Sequence, residues 1–333
     1  MRKQVNTNVR LLFLTVIALL AGLALYHGVW RDAWPEIKTF RIIFLSIVIE
    51  ALPFMILGVF VSSVLHNFVS EEWIKRVFPR GRYAGILLSC LMGLVFPVCE
   101  CGIVPVARRL VLKGVPLYCA VTFMLAAPVI NPVVALSTLV AFNFNPQVLW
   151  FRMGLAFAVA FLIGVLISYL VRGGQLNPSG AHAHDHHCGC GCDHGHSVTL
   201  AGKIVDTVRV ACDEFFEMGK YLLLGAFLAA SFQVFAGLNQ IADLGREPLL
   251  SIAGMMFFAF AISVCSTADA FIAASFAGSF TFGSLVAFLV YGPMIDLKNV
   301  MMMLGSFKPR FVAFLVVAVT LVVAVLTYML NLI

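Results

Sequence analysis

Apolar residues in this chain come in long, nearly unbroken runs, each close to the roughly 20 residues a helix needs to cross a bilayer. The first is Leu11 to Trp30. Others cover 42–65, 83–107, 115–142, 148–171, 215–237, 249–279, 281–303 and 311–332. The pattern predicts an all-α polytopic membrane protein of about seven to nine transmembrane helices. The first run follows Arg2, Lys3 and Arg10, a basic flank that a signal peptide also carries. The run is long for that role and no clear small-residue cleavage site follows, so the expectation is an uncleaved first span.

Composition agrees with the pattern. Hydrophobic residues make up 62% of the 333 and charged residues 11%, with a mean hydropathy of +1.01. A soluble domain carries roughly 25% charged residues. This chain has too few to cover a water-facing surface, which excludes a soluble enzyme. Its 30 Phe exclude a disordered chain. The net charge of +6 is spread between the apolar runs instead of gathered in one patch, so no nucleic-acid partner is implied.

The chain repeats itself weakly. Glu50-Ala-Leu-Pro-Phe-Met-Ile-Leu-Gly58-Val-Phe60 matches Glu217-Met-Gly-Lys-Tyr-Leu-Leu-Leu-Gly225-Ala-Phe227. Phe96-Pro-Val-Cys99 matches Ile262-Ser-Val-Cys265, and Ala127-Pro-Val-Ile-Asn131 matches Gly292-Pro-Met-Ile-Asp296, in the same order and at nearly constant offset. Positive charge then chooses a topology. If all nine runs cross, basic residues divide almost evenly between the two sides. If 83–107 and 249–279 dip in and return, the division becomes 17 to 5, as the positive-inside rule asks. The expectation is seven crossings plus two re-entrant hairpins, in two related, inverted repeats. The expected parts are an extra N-terminal helix (1–40), repeat 1 (41–171), a cytoplasmic linker (172–200) and repeat 2 (201–333).

This layout puts chemistry at mid-membrane. The hairpin tips are Pro97-Val-Cys99-Glu100-Cys101-Gly102 and Ser263-Val-Cys265-Ser-Thr267. The runs at 115–142 and 281–303 are broken centrally by Pro128, Asn131 and Pro132, and by Gly292, Pro293 and Asp296. Broken backbone at this depth is tolerated only where it lines a cavity or protein interior. Cys99, Cys101 and Cys265 together would suit a thiophilic ion such as Cu(I), Zn(II) or a trivalent arsenical. Because charge in a bilayer costs at least about 2.5 kcal/mol on insertion scales, Glu50, Glu100, Glu217, Asp269 and Asp296 are functional candidates. Glu100, Asp269, Glu50 and Glu217 are candidates for proton coupling, with Glu50 and Glu217 expected near the membrane edge. Asp269 lies one helical turn beyond Cys265 and is expected to face the same way. Asp296 either lines the path or pairs with Lys298 or Lys220. Asn131, its repeat partner, offers an oxygen ligand.

The linker has its own chemistry. Between Ala181 and His196, eleven of sixteen residues are His, Cys or Asp. His182, His184, His186, His187, Cys188, Cys190, Cys192, His194 and His196 are imidazole and thiolate ligands suited to Zn or Cu. Their spacing fits no fixed zinc finger, so a transient metal collector is expected, with no permanent cofactor. No phosphate-binding Gly-x-x-x-x-Gly-Lys-Ser/Thr motif occurs, which argues against ATP-driven pumping by this chain alone.

Pro97-Val-Cys-Glu-Cys-Gly102, Ala127-Pro-Val-Ile-Asn-Pro132 and Cys265-Ser-Thr-Ala-Asp269 together resemble a bacterial permease family that includes organoarsenical efflux permeases and a branch of copper/zinc efflux transporters. The likeness runs from about residue 41 to the end, and the linker resembles the copper/zinc branch. What it implies is export of metal or metalloid ions across the bacterial inner membrane, with Cys99, Glu100, Cys101, Asn131, Cys265 and Asp269 as pathway residues. The resulting expectation is a proton-coupled secondary efflux permease, not an enzyme. Its N-terminus and linker are cytoplasmic, its partners are the cargo ion and the lipid bilayer, and a homodimer is left open. Efflux of methylated trivalent arsenicals and a non-transporting membrane metal sensor are the alternatives.

Overall fold

The computed structural model describes residues 35–68, 81–95, 99–171, 174–176, 200–235 and 248–332. The first span, Leu11 to Trp30, and the His/Cys tract of the linker lie outside these residues. Within them the chain is nearly all helix, and the only β pairing is a single bridge between Leu176 and Phe307. The helices are α1 (Pro35–Phe68), α2 (Arg82–Val95), α3 (Glu100–Leu112), α4 (Leu117–Ala126), α5 (Pro132–Ala141) and α6 (Pro146–Leu170). After the linker come α7 (Leu200–Phe235), α8 (Pro248–Ile262), α9 (Ala268–Ser275), α10 (Phe282–Met294), α11 (Leu297–Ser306) and α12 (Pro309–Leu332). Five stretches are long and apolar enough to span a bilayer: Ile37–Leu65, Pro146–Leu170, Thr207–Val234, Phe282–Ser306 and Pro309–Leu332. The protein is therefore a multi-pass membrane protein.

The breaks follow local chemistry. Pro128 supplies no N–H to continue α4, and the chain leaves the helix until Asn131, whose side chain accepts from the Val133 N–H to start α5 with Pro132 in the first position. The same device restarts the helix after α10. Ile295 and Asp296 are extended, and the Asp296 carboxylate accepts from the Asn299 N–H at 2.5 Å to open α11.

Side-chain contacts fix the direction of each element. α1 and α7 lie antiparallel along their length: Asn67 donates to Thr207 at 2.7 Å, Ser62 to Glu214 at 2.8 Å, Met55 meets Gly219, and Ile47 packs with Ala226 and Ala229. The end of α1 and the start of α7 therefore share one end of the bundle, the linker end. α11 runs toward it, with Lys298 against Gly225 and Ser306 against Met218. The Lys308 N–H then bonds the Gln175 carbonyl at 2.9 Å, which puts the exit of α6 there too.

α2 begins at this same end, with the Tyr83 hydroxyl 2.7 Å from that of Tyr169 and Arg82 over the Tyr169 ring. α3 finishes there as well, since Arg108 and Arg109 reach Glu217 and Glu214 at 3.3 and 3.5 Å. Residues 82–112 thus enter and leave by the linker end. α8 and α9 do the converse. Phe258 on α8 meets Phe276 just past α9 at 5.7 Å, so the chain reverses. It passes on to α10, which starts at the opposite end against Asn331 and Phe151. The two hairpins enter from opposite ends, between six crossings (α1, α4–α5, α6, α7, α10–α11 and α12). α3 packs against α11, and α9 packs against α5, so the returning arm of each hairpin lies on the broken helix of the other half.

In lipid, helices associate by close packing, not by a hydrophobic drive. A Cβ on Gly58 would overlap the Gly102 backbone, so glycine is required where α1 crosses α3. One part of the charge reading needs correction. Arg108, Arg109, Arg152 and Lys298 entered the topology as loop charges, but all four are buried. Each is ion-paired inside the bundle, and a paired interior cation reports on packing instead of on membrane side. The remaining basic residues keep the same asymmetry. We expect a cysteine placed at Lys113 to react with an impermeant thiol reagent from the same side of the membrane as one at Gln175, and one at Phe144 from the opposite side. A cysteine at Gly81 should label from the same side as one at Lys113; labelling of positions 81 and 113 from opposite sides would contradict the first hairpin, because 82–112 would then cross.

Candidate functional site

Four stretches distant in sequence meet deep in the bundle. Glu100 opens α3, where a carboxylate is favoured by the helix dipole, and is 1% exposed. Its Oε1 accepts from Lys298 Nζ at 2.9 Å. Lys298, in the first turn of α11 and 3% exposed, also donates to the Ser263 carbonyl at 3.3 Å, and its Nζ stands 3.6 Å from Asp296 Oδ2. Ser263 belongs to the second hairpin tip and takes a left-handed backbone, φ +49°. Both hairpin tips and the α10–α11 break thus converge on one ammonium. The fourth stretch is α1: Glu50, near the middle of its span, lies within hydrogen-bonding reach of Cys265. The expectation that Glu50 sits at the membrane edge is therefore corrected, because α1 continues well past it at both ends.

A second ion pair ties the other hairpin. Arg152 of α6 is fully buried. One of its terminal nitrogens reaches both Asp269 oxygens at 2.9 Å and the Ser266 carbonyl at 3.0 Å, and the other donates to Thr138 at 2.8 Å. Asp269 opens α9 as Glu100 opens α3. Each hairpin therefore presents an acid at the start of its returning arm to a cation from the other half of the chain. Sequence reasoning missed Arg152 as a site residue. Its signal was a lone arginine two residues past Trp150 inside an apolar run, and it was read as a flanking loop charge.

Other candidates divide by place. Cys101 is buried and Cys99 half-buried, on either side of Glu100. Cys265 shares a 3.1 Å contact with Thr267. The Cys265 carbonyl accepts from the Asp269 N–H, while the side chains have their own partners, Thr267 for Cys265 and Arg152 for Asp269. Asn131 and Asp296 both cap the second halves of broken helices. Glu217 pairs with Arg108 toward the linker end, beside the Glu214–Arg109–Ser62 cluster. Among the described residues no three His, Cys, Asp or Glu side chains stand together as a metal ion would require. The nine linker ligands, His182 to His196, lie outside the described residues.

Apolar crossings, opposed hairpins and ion pairs at their tips define a multi-pass membrane protein. Comparison with known proteins places it further. The family model described as "Predicted permease" matches residues 36–332, and the chain belongs to that family. UPF0718 protein YcgR of Bacillus subtilis (strain 168) is 47% identical over 285 residues, covering 84% of this chain and 93% of the relative. A Streptococcus mutans protein named "Putative two-component membrane permease complex subunit" is 38% identical over 81% of this chain and 87% of its own. UPF0718 protein YraQ of Escherichia coli (strain K12) is 29% identical over 35% of this chain and 30% of its own. No solved structure matches. These relatives point to a transporter rather than an enzyme.

Removing one partner of a buried ion pair costs about 3–5 kcal/mol, because the other charge is left uncompensated. Arg152→Met should therefore lower the thermal unfolding midpoint of the purified protein sharply. The double change Arg152→Met, Asp269→Leu should restore much of it. Equal midpoints for wild type and Arg152→Met would contradict a paired Arg152.

Proposed function

We propose that this chain is a secondary permease that exports a thiophilic ion, copper or zinc, from the linker side of the bacterial inner membrane. The observation that carries the reading is the meeting of both hairpin tips and one broken helix at the Glu100–Lys298 pair, with Cys99 and Cys101 beside it. Hairpins and broken helices facing one another near the midplane is how secondary transporters build a cargo site. Their entry from opposite ends, and the mutual packing of α3 on α11 and α9 on α5, support a pair of inverted repeats that rock to give alternating access. The linker collects the ion on the cytoplasmic side and passes it to the thiols. Protons are the coupling ion, with Glu100, Asp269, Glu50 and Glu217 as carriers. Asn131 and Asp296 line the path where the crossings break. The name of the Streptococcus mutans relative supports a second membrane subunit as partner in addition to, or in place of, a second copy of this chain.

One observation favours a second cargo. With no group of three ligands among the described residues, a methylated trivalent arsenical fits two thiols more readily than a bare ion does, since it brings its own carbon substituent. A metal sensor that moves nothing is the third outcome of the test. We expect inside-out vesicles holding the wild-type protein to take up zinc or copper. Loss of even a supporting partner costs about 10- to 100-fold in metal affinity, so Cys99→Ser or Cys101→Ser should reduce uptake by at least about tenfold. Uptake of methylarsenite alone would select the second cargo. No flux of any species would leave the sensor.

A further inference from the structure

We propose that Lys298 is a tethered competitor: its ammonium occupies the oxygen site that a divalent cargo cation must take, so cargo enters only as Lys298 withdraws. This deepens the cargo reading above and rests on it.

Three oxygens from three parts of the chain surround Lys298 Nζ. They are Glu100 Oε1 at 2.9 Å, the Ser263 carbonyl at 3.3 Å and Asp296 Oδ2 at 3.6 Å. A carboxylate, a carbonyl and a second carboxylate are the ligand types that hard or borderline divalent ions accept. Here an amine on a flexible four-carbon stem fills the same position. Glu100, Asp296 and Lys298 are each at most 3% exposed, so their charges act at short range with little screening.

With both acids ionised, lysine alone does not balance their charge. Two carboxylates face one ammonium, and Glu100 Oε2 and Asp296 Oδ2, both buried, accept no hydrogen bond from any described residue. A divalent ion would neutralise both acids where the ammonium neutralises one. With ion and ammonium together the site would carry an excess positive charge in a low-dielectric interior, so the two exclude each other. The tether is placed for withdrawal. Lys298 sits in the first turn of α11, just past a break with two extended residues, and Gly225 lies directly against its backbone, where any larger residue would clash. Motion at that break moves the ammonium without unfolding either helix. The competition gives the permease a built-in counter-charge: when cargo leaves, Lys298 returns and keeps the acids from standing unpaired.

Zinc protection of the half-buried Cys99 from alkylation tests this at the site itself. The full-length protein in nanodiscs is treated with a small maleimide over a zinc series, and each cysteine peptide is quantified by mass, so linker thiols are scored apart. In Lys298→Met the half-protecting zinc concentration should fall about tenfold, within the range typical of two coupled ligands. In Lys298→Arg it should rise, because a guanidinium fork grips carboxylates more firmly. Equal half-protection in wild type and Lys298→Met overturns the competition and leaves the cargo reading standing. Failure of zinc to protect in any variant overturns the zinc cargo reading and this inference with it. Should Lys298→Met not fold, Lys298→Arg decides alone, and half-protection at or below the wild-type concentration overturns the proposal.

Discussion

A charge inside a bilayer needs a partner inside the same protein, and that requirement organises this molecule. Glu100 and Asp269 stand at the first turns of short helices that return from hairpin tips. Neither could remain ionised there without a cation, and each finds one on the opposite half of the chain, Lys298 for Glu100 and Arg152 for Asp269. The pairs therefore do more than cancel charge. They pin two hairpins that enter from opposite ends, and they tie the halves together in a medium where apolar contact alone gives helices little reason to associate.

The same medium explains the backbone. Interrupting a helix in lipid exposes polar groups that water cannot reach. Here both interruptions are closed by a side chain, Asn131 for α5 and Asp296 for α11, each accepting from the N–H of a residue just beyond it. Asp296 thus serves twice, as cap and as neighbour of Lys298. A polar layer nearer the linker end, Arg108 with Glu217 and Arg109 with Glu214 and Ser62, fastens α3 to α7 and α1. These pairs lie between the linker end and the Glu100–Lys298 pair.

The reliance on pairing also limits what a thiol-centred view can claim. Cys99 and Cys101 flank the Glu100–Lys298 pair, while Cys265 lies against Thr267 and Glu50. The strongest local signal in the sequence, two cysteines around a carboxylate, lies beside the Glu100–Lys298 pair. The residues that organise it, Lys298, Ser263 and Arg152, carry no such local mark.

The linear chain by itself determined its solvent, its helical class and the positions of both breaks. Each of these depends on neighbours in sequence: runs of apolar residues, proline without an N–H, an Asn or Asp placed to cap. Glu100, Asp269 and Asp296 were legible for the same reason, since an acid in an apolar run is conspicuous wherever it folds. The nearness of Lys298 to Asp296, two residues apart, was legible, but which cation answers Glu100 or Asp269 was not. Arg152 and Asp269 are separated by more than a hundred residues, as are Glu100 and Lys298, and only the packing of one half on the other brings them within 3 Å. Arg152, buried in α6, and Glu50, midway along α1, show the same limit, because depth in a bundle depends on where every other helix lies.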